Sequence, residues 1–293
     1  MSSEEQISKI IETGNKSEVE YPFEYFDAQV RFAFQWAHLS GETLENTLLR
    51  KTALYRRITD KKPPKDGEVD IQWKALLDKT SVLEKVEDVS KTAYATYLEQ
   101  THSVYSEPVY PENDDKHFGY FSFDHYPPNE TTGERDRIKI HFINQNRGDK
   151  SGLDKSFLSQ RQADLRRMFA RIRNLYPDTE EVIGGSWLYA LKGYRDSFPP
   201  VFTLNMNRLV PIGFEHIPNS VPNMSFEGNS VWGQFVNREG DVRQQVYDQF
   251  IRNVNEAKNL DDLVNAFPNV PYQPKSPTSV FYDWIDKQEY RLY

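Results

Sequence analysis

Residues 137–157 read RIKIHFINQNRGDKSGLDKSF and divide into an apolar segment, a polar loop and the start of a second apolar pattern. β-branched and aromatic side chains at 137–144 predict a strand. Beyond the loop, residues 156–176 place apolar side chains at helical spacing and end before Pro177, which predicts an amphipathic helix. The loop between them has two interpretations: a cradle for the phosphates of a nucleotide or coenzyme, or a solvated turn.

A second strand candidate precedes this stretch. Residues 117–126 (HFGYFSFDHY) are rich in aromatic side chains, and the polar connection 127–136 contains Gly133. The two segments therefore predict an antiparallel hairpin with a long loop. Farther along the chain we expect a strand at 180–191 running into a turn or short helix at 192–200, short strands at 201–237, a helix at 241–257 capped by Asp241, and a short helix at 260–268.

The first hundred residues carry the pattern of helices. Phe26, Val30 and Phe34 lie four residues apart, which puts them on one face of a helix. Thr43 is placed to begin a second helix that reaches residue 57, before the breaker Pro63–Pro64. Further helices are expected near 70–79 and 84–104.

The segment 106–116 is rich in proline and acidic residues and is the best candidate for a domain boundary. It predicts a helical domain at 1–105 and an α/β sheet domain at 106–293. The fold class that follows is α+β, with a helical N-terminal region before a mixed β-sheet that has flanking helices.

Composition excludes several classes of protein. A net charge of −8, from 36 basic and 44 acidic side chains, disfavours general binding to nucleic acid. The absence of cysteine excludes disulfides, thiolate nucleophiles and iron–sulfur clusters. The first residues lack the pattern of a signal peptide, and no run of about 18 apolar residues occurs. We therefore expect a soluble cytoplasmic protein that binds neither nucleic acid nor membrane, and the sequence leaves its oligomeric state open.

The order of strand, glycine-bearing loop and long helix resembles the core of the GNAT acyltransferase superfamily. In that family a Gln/Arg-x-x-Gly-x-Gly/Ala loop precedes a helix whose N-terminal amides hold the pyrophosphate of acyl-coenzyme A. QNRG matches the first four positions, and Lys150 stands where the family has Gly or Ala. The resemblance implies acyl-coenzyme A as cofactor, and as the residues that bind it Gln145, Arg147, Gly148, Lys150 and Gly152.

The same family has a tyrosine near the end of its core that donates a proton to the departing thiolate. Here the segment 184–198 (GGSWLYALKGYRDSF) offers Tyr189 and Tyr194, so the resemblance implies that one of them is a general acid. The whole chain also resembles uncharacterised bacterial proteins with Gly-x-Ser-Trp-Leu-Tyr followed by Tyr-Arg-x-x-Phe-Pro-Pro. That second resemblance implies no function.

Histidines and carboxylates supply the remaining candidates. His141, on the strand beside the loop, is either the general base for an amine substrate or an ordinary surface histidine. His117 and His125 fall on one predicted strand at a separation of roughly 26 Å, so we expect no metal site. Carboxylates that would bind a cationic substrate, or that are plain surface groups, are Asp124, Glu112, Asp114 and Asp115.

Two functions from different classes follow. The first is an acyl-coenzyme A-dependent N-acyltransferase acting on a small amine, with the 145–152 loop on the pyrophosphate. His141 or Asp124 would lie near the acceptor, because only a neutral amine attacks a thioester. The second is a non-catalytic protein that binds a ligand or another protein.

Overall fold

In a computed structural model of the chain, the structure describes residues 20–64, 67–100, 115–129, 131, 133–143, 150–209, 231–237 and 240–289. They belong to two compact units. The helical unit comprises the described residues of Met1–Pro108 and Phe235–Leu260, and the sheet unit those of Val109–Gln234 and Asp261–Tyr293. No helix in these ranges is long and apolar enough to span a membrane.

Eleven α-helices occur in the described ranges. In chain order they are α1 (Phe23–Ser40), α2 (Leu44–Lys51), α3 (Leu54–Thr59), α4 (Ile71–Thr80), α5 (Val86–Gln100), α6 (Leu158–Leu175), α7 (Lys192–Arg195), α8 (Pro200–Leu204), α9 (Gln244–Glu256), α10 (Leu260–Val264) and α11 (Ser279–Glu289).

Seven strands accompany them in the same ranges, all of them short. They are β1 (His117–Phe118), β2 (Phe121–Tyr126), β3 (Arg137–Phe142), β4 (Glu181–Ile183), β5 (Asn207–Arg208), β6 (Tyr272–Gln273) and β7 (Lys275–Pro277). The α+β class expected from the sequence is therefore confirmed, with a mixed sheet and flanking helices.

Helix α1 is the centre of the helical unit, because it is buried on most sides rather than along one stripe. The helix begins after Pro22 and is capped at its C-terminus by Gly41. Gly41 adopts a left-handed conformation with a φ of 76°, and its amide donates to Ala37 O. Helix α2 begins as expected, since the Thr43 side chain accepts from Asn46 N. The predicted single helix 43–57 is wrong in one respect: it divides into α2 and α3.

Helix α9 also belongs to the helical unit, whereas the sequence analysis placed residues 241–257 in the sheet domain. The reason is its packing on α1. Phe250 stacks on Phe32 at 6.3 Å between ring centroids, and the Tyr247 hydroxyl donates to buried Asp27 Oδ2 at 2.5 Å. The predicted cap also differs, because Arg243 and not Asp241 precedes α9.

The main sheet of the sheet unit has the strand order β1-β2-β3-β4-β7. All neighbouring pairs are antiparallel except β3 and β4, which are parallel and are connected through α6. The predicted hairpin is confirmed, with Phe123 opposite Ile140. Apolar side chains of one sheet face form a core with α6 and α11 that includes Phe121, Phe123, Ile138, Ile140, Val182, Leu165, Met168, Phe169, Ile172 and Phe281.

Residues 117–126 do not form one strand, which corrects the sequence prediction. Gly119, at a φ of 57°, turns the chain so that β1 folds back on β2. Asp164 of α6 fixes this turn, because its buried carboxylate accepts from Tyr120 N at 3.1 Å. His117 therefore lies beside Ser122 and not on the sheet face that carries His125.

Three other strand predictions also need correction. The predicted strand 180–191 ends after Ile183, and a 3-10 helix, Trp187–Ala190, follows it. Pro200 begins a helix where a strand was expected, and 232–235 is a 3-10 helix. The part of the predicted strands at 210–230 lies outside the described residues.

Candidate functional site

The sheet opens between β3 and β4. Their parallel pairing stops at Lys139↔Ile183, although β3 continues on its other side as far as Phe142↔Phe121. After β4 the chain follows its other neighbour, since Gly184 N donates to Pro274 O at 3.0 Å. The last three residues of β3, 140–142, therefore have no pairing on the β4 side within the described chain. This opening lies at the C-terminal end of β3.

Two tyrosines occupy the opening. Tyr194 contacts Phe142 of β3 at 5.3 Å between ring centroids, and Tyr189 packs on Tyr194 at 4.8 Å. The Tyr189 hydroxyl lies against Gly184, so closely that a Cβ there would be 2.2 Å from it. Both tyrosines are 1% exposed. Glycine at 184 is therefore required by the position of the tyrosine ring.

Burial sets the protonation state of these two hydroxyls. It raises the pKa of Tyr189 and of Tyr194 well above the ordinary value for a phenol, and each ring affects the ionisation of the other. The Tyr189 hydroxyl makes no hydrogen bond of normal geometry to any described residue. Both groups are therefore neutral proton carriers at neutral pH, enclosed in an aromatic cluster with Phe198 and Phe202.

His141 and Asp124 form a hydrogen-bonded pair on the other face of the sheet. Asp124 is opposite Lys139, so it is the diagonal neighbour of His141 across the β2–β3 hairpin. Asp124 Oδ2 lies 2.9 Å from His141 Nε2, and the two side chains are 49% and 38% exposed. The pair is thus open to solvent and reachable by a ligand.

Desolvation lowers the pKa of His141, an effect that Asp124 opposes and Lys139 reinforces. The imidazole is therefore neutral at neutral pH and able to accept a proton. Since Nε2 faces the carboxylate, Nδ1 is the ring nitrogen left for another partner. A carboxylate that orients a neutral histidine in this way is an arrangement suited to general-base chemistry.

The predicted phosphate-binding residues are only partly within the described chain. Gln145, Arg147 and Gly148 lie outside the described residues. Lys150 is exposed, whereas Gly152 is buried and its carbonyl accepts from Arg161 Nη1 at 2.7 Å. Gly152 is thus anchored next to the helix.

Arg161 is 1% exposed and holds Gly152 in place. Its guanidinium donates to Asp154 O at 3.0 Å, Ser197 Oγ at 2.9 Å and Gly193 O at 3.1 Å, in addition to Gly152 O. These four acceptors are neutral oxygens, so a buried positive charge lies directly behind Gly152 and Asp154. Arg161 therefore lies on the buried face of this amphipathic helix.

Amides at the beginning of the helix are already satisfied. Leu153 N donates to Ser151 Oγ, and Asp154 N to Ser151 O. The Asp154 carboxylate accepts from Ser156 N at 2.8 Å, and Phe157 N donates to Asp154 O. These four amides are therefore not available to a phosphate at this helix, which would have to use other amides together with the Lys150 side chain.

Other predicted candidates are separated from the opening. Asp115 pairs with Arg171 of α6 at 2.8 Å, while Glu112 and Asp114 lie outside the described residues. His125 Nε2 lies 2.8 Å from Asp136 Oδ1 and stacks on a tyrosine, so it has a structural role. Among the residues that the structure describes, no group of three or more His, Asp or Glu side chains could hold a metal ion.

Sequence reasoning named His141 and Asp124 separately and missed that they form a pair. The predicted hairpin contained the information for this pair. Once the register puts Asp124 opposite Lys139, His141 lies two residues farther along β3 and is the diagonal neighbour of Asp124. Arg161 was also detectable, since it lies four and seven residues before Leu165 and Met168, on the buried face of α6. No protein-family model matches this chain, and neither a curated protein nor a solved structure matches it.

Proposed function

We propose that the protein is an acyl-coenzyme A-dependent N-acyltransferase acting on a small amine. The observation that supports this most is the opening between β3 and β4, where residues 140–142 lack a partner on the β4 side among the residues that the structure describes. Coenzyme A carries an extended arm with two amide groups, and such a chain can bond the backbone of an unpaired strand edge. Residues 145–152 follow β3 closely in sequence, so the phosphates at the other end of the cofactor are proposed to bind them.

His141 is the general base of this proposal. A small amine is protonated at neutral pH, and the neutral imidazole takes the proton from its ammonium group. Asp124 orients the ring and stabilises the imidazolium that forms. The exposed position of the pair leaves the acceptor free to arrive from solvent while the cofactor occupies the opening.

The amine nitrogen forms a bond to the thioester carbonyl carbon, and the carbon–sulfur bond breaks. The sulfur leaves as a thiolate and takes a proton from Tyr194 or Tyr189, which regains one from solvent. Because both hydroxyls are buried, the proposal requires the cofactor to displace part of the aromatic cluster that now fills the opening.

The phosphates are proposed to bind Arg147, Lys150 and the amides around Gly148, with Gln145 and Gly152 framing the loop. Buried Arg161 adds positive charge behind them. Asp154, whose pKa is lowered mainly by its hydrogen bonds to Ser156, keeps its negative charge at the start of the helix. This carboxylate opposes phosphate binding at the helix itself, so the loop has to supply the affinity.

A thermal-shift titration of the full chain with acetyl-coenzyme A tests the proposal. Ligand at a hundred times its dissociation constant stabilises the folded state by about 2.7 kcal/mol, which raises the unfolding midpoint by several degrees. Arg147→Ala should abolish most of that rise. The control is Arg135→Ala, which removes a 69% exposed arginine outside the loop and should leave the rise unchanged. No rise at millimolar acetyl-coenzyme A would refute the proposal.

The second candidate is a non-catalytic binding or interaction protein. It is favoured by two observations: Tyr189 and Tyr194 fill the opening, and four amides at the start of the helix, those of residues 153, 154, 156 and 157, are satisfied internally. On this alternative, acetyl-coenzyme A does not bind, and His141→Gln changes no transfer activity because there is none. The acyltransferase proposal predicts the opposite result in both measurements.

A further inference from the structure

The helical unit contains a cleft that the proposed function does not use. It has a volume of about 490 Å³ and lies between the start of α2 and the end of α4. Its apolar lining comes mainly from Leu44, Leu48, Leu77 and Leu83. Of these, Leu48 is 2% exposed and the other three are half-buried. The volume falls within the range of small-molecule sites, roughly 300 to 1,000 Å³.

The cleft also carries two carboxylates. Glu45 and Asp78 line it, both are exposed, and neither has an ion-pair partner among the residues that the structure describes. The only lining cation in that part of the chain is Lys74, which is already paired with Glu68 at 3.4 Å. The cleft therefore has an apolar lining and carries uncompensated negative charge.

The position of Asp78 strengthens this negative potential. It lies in the last turn of α4, where the helix dipole already places partial negative charge. A carboxylate is unfavourable there unless a cation compensates it. Val82, between lining residues Ser81 and Leu83, leaves 80% of its surface exposed, so the apolar surface extends beyond the cleft.

We propose that this cleft binds a small organic cation with an aliphatic part. The ammonium group lies between Glu45 and Asp78, and the alkyl part lies on the leucines. An anion of the same size would meet two carboxylates and a helix C-terminus, and a neutral alcohol would gain only the apolar contacts. The cleft therefore discriminates by charge as well as by shape.

The test uses the full chain with hexylamine, hexanoate and hexan-1-ol as probes of equal chain length. Calorimetry gives the affinities, and amide chemical shifts of residues 44–48 and 77–83 give the location. Hexylamine should bind about three- to tenfold more tightly than hexan-1-ol, as expected for one or two exposed ion pairs. Hexanoate should bind more weakly than either.

The double variant Glu45→Gln/Asp78→Asn should bind hexylamine no better than hexan-1-ol while keeping its affinity for the alcohol. Glu256→Gln is the matched control, because it removes an exposed carboxylate of the same unit outside the cleft. Thermal unfolding checks that the double variant is folded, and retained alcohol binding confirms that the cleft is intact. Equal affinity for the amine and the alcohol in the natural protein, or an unchanged amine affinity in the double variant, would overturn the proposal.

Discussion

Replacing Gly184 by alanine should destabilise the sheet unit, although the backbone there suits any residue. The added Cβ would lie 2.2 Å from the Tyr189 hydroxyl oxygen, 2.6 Å from Cζ and 2.7 Å from Cε2. The ring cannot withdraw easily, since it is held by Tyr194 at 4.8 Å and Phe198 at 5.4 Å between centroids. Overpacking therefore follows directly from the place that Tyr189 takes in the opening.

The size of the effect follows from two opposing contributions. Forcing an extra methyl group into a close-packed site costs about 1 to 3 kcal/mol. Removing the backbone freedom of glycine from the unfolded chain returns about 0.4 to 1 kcal/mol. The net loss is about 1 to 2 kcal/mol, which lowers the unfolding midpoint by roughly 2 to 8 °C.

Calorimetric unfolding of Gly184→Ala measures this loss, with Gly233→Ala as the matched control. At Gly233 a new Cβ would meet nothing closer than Trp187 Nε1 at 3.9 Å. That variant should therefore show only the gain of about 0.4 to 1 kcal/mol from the unfolded chain. Adding Tyr189→Phe should recover part of the loss, because it removes the closest of the three clashing atoms. A Gly184→Ala protein as stable as Gly233→Ala would refute the reasoning that the tyrosine ring fills the opening.

Two further predictions concern the loop and the histidine. Arg161→Met leaves four oxygens without their donor, so it should lower the free energy of unfolding by about 3 kcal/mol or more in a urea titration. The control Arg171→Met removes an exposed ion pair and should lower it by about 1 kcal/mol or less. Equal losses would contradict a structural role for the buried guanidinium. In an NMR titration His141 should have a pKa below 6.5, Asp124→Asn should lower it further, and Lys139→Gln should raise it. Because the folded pKa is the lower one, the contribution of His141 to stability is present above the unfolded pKa and is lost as pH falls through the folded pKa. A pKa that rises in Asp124→Asn would contradict the pairing.

Local pattern was sufficient for much of the fold. Some features depend only on residues that are close in sequence, and the structure contains them. They are the helical spacing in α1 and α6, the Thr43 cap, and the hairpin of β2 and β3. Gly119 was visible inside the strand 117–126. The turn that it makes could not be predicted, because the buried Tyr120 amide is satisfied by Asp164 from a helix far away in sequence.

Long-range pairing was the part that sequence could not supply. β7 has only three residues, contains Pro277 and shows no alternation of apolar and polar residue types. Its sequence therefore does not mark it as the partner of β4. Likewise, the glycine pair 184–185 marks an interruption in the segment 180–191, but it does not show that the pairing with β3 would stop at Ile183. The opening between β3 and β4 exists because their pairing ends at Ile183. The sequence therefore indicated candidate site residues but not the opening beside them.

The proposed placement of acyl-coenzyme A beside β3 is tested most directly by amide chemical-shift mapping of the full chain during titration with acetyl-coenzyme A. The account predicts shifts at residues 140–143 and 147–152 and at the His141 ring, with saturation at submillimolar ligand. Absence of shifts in these residues at millimolar acetyl-coenzyme A, with Tyr189 and Tyr194 likewise unmoved, would contradict it.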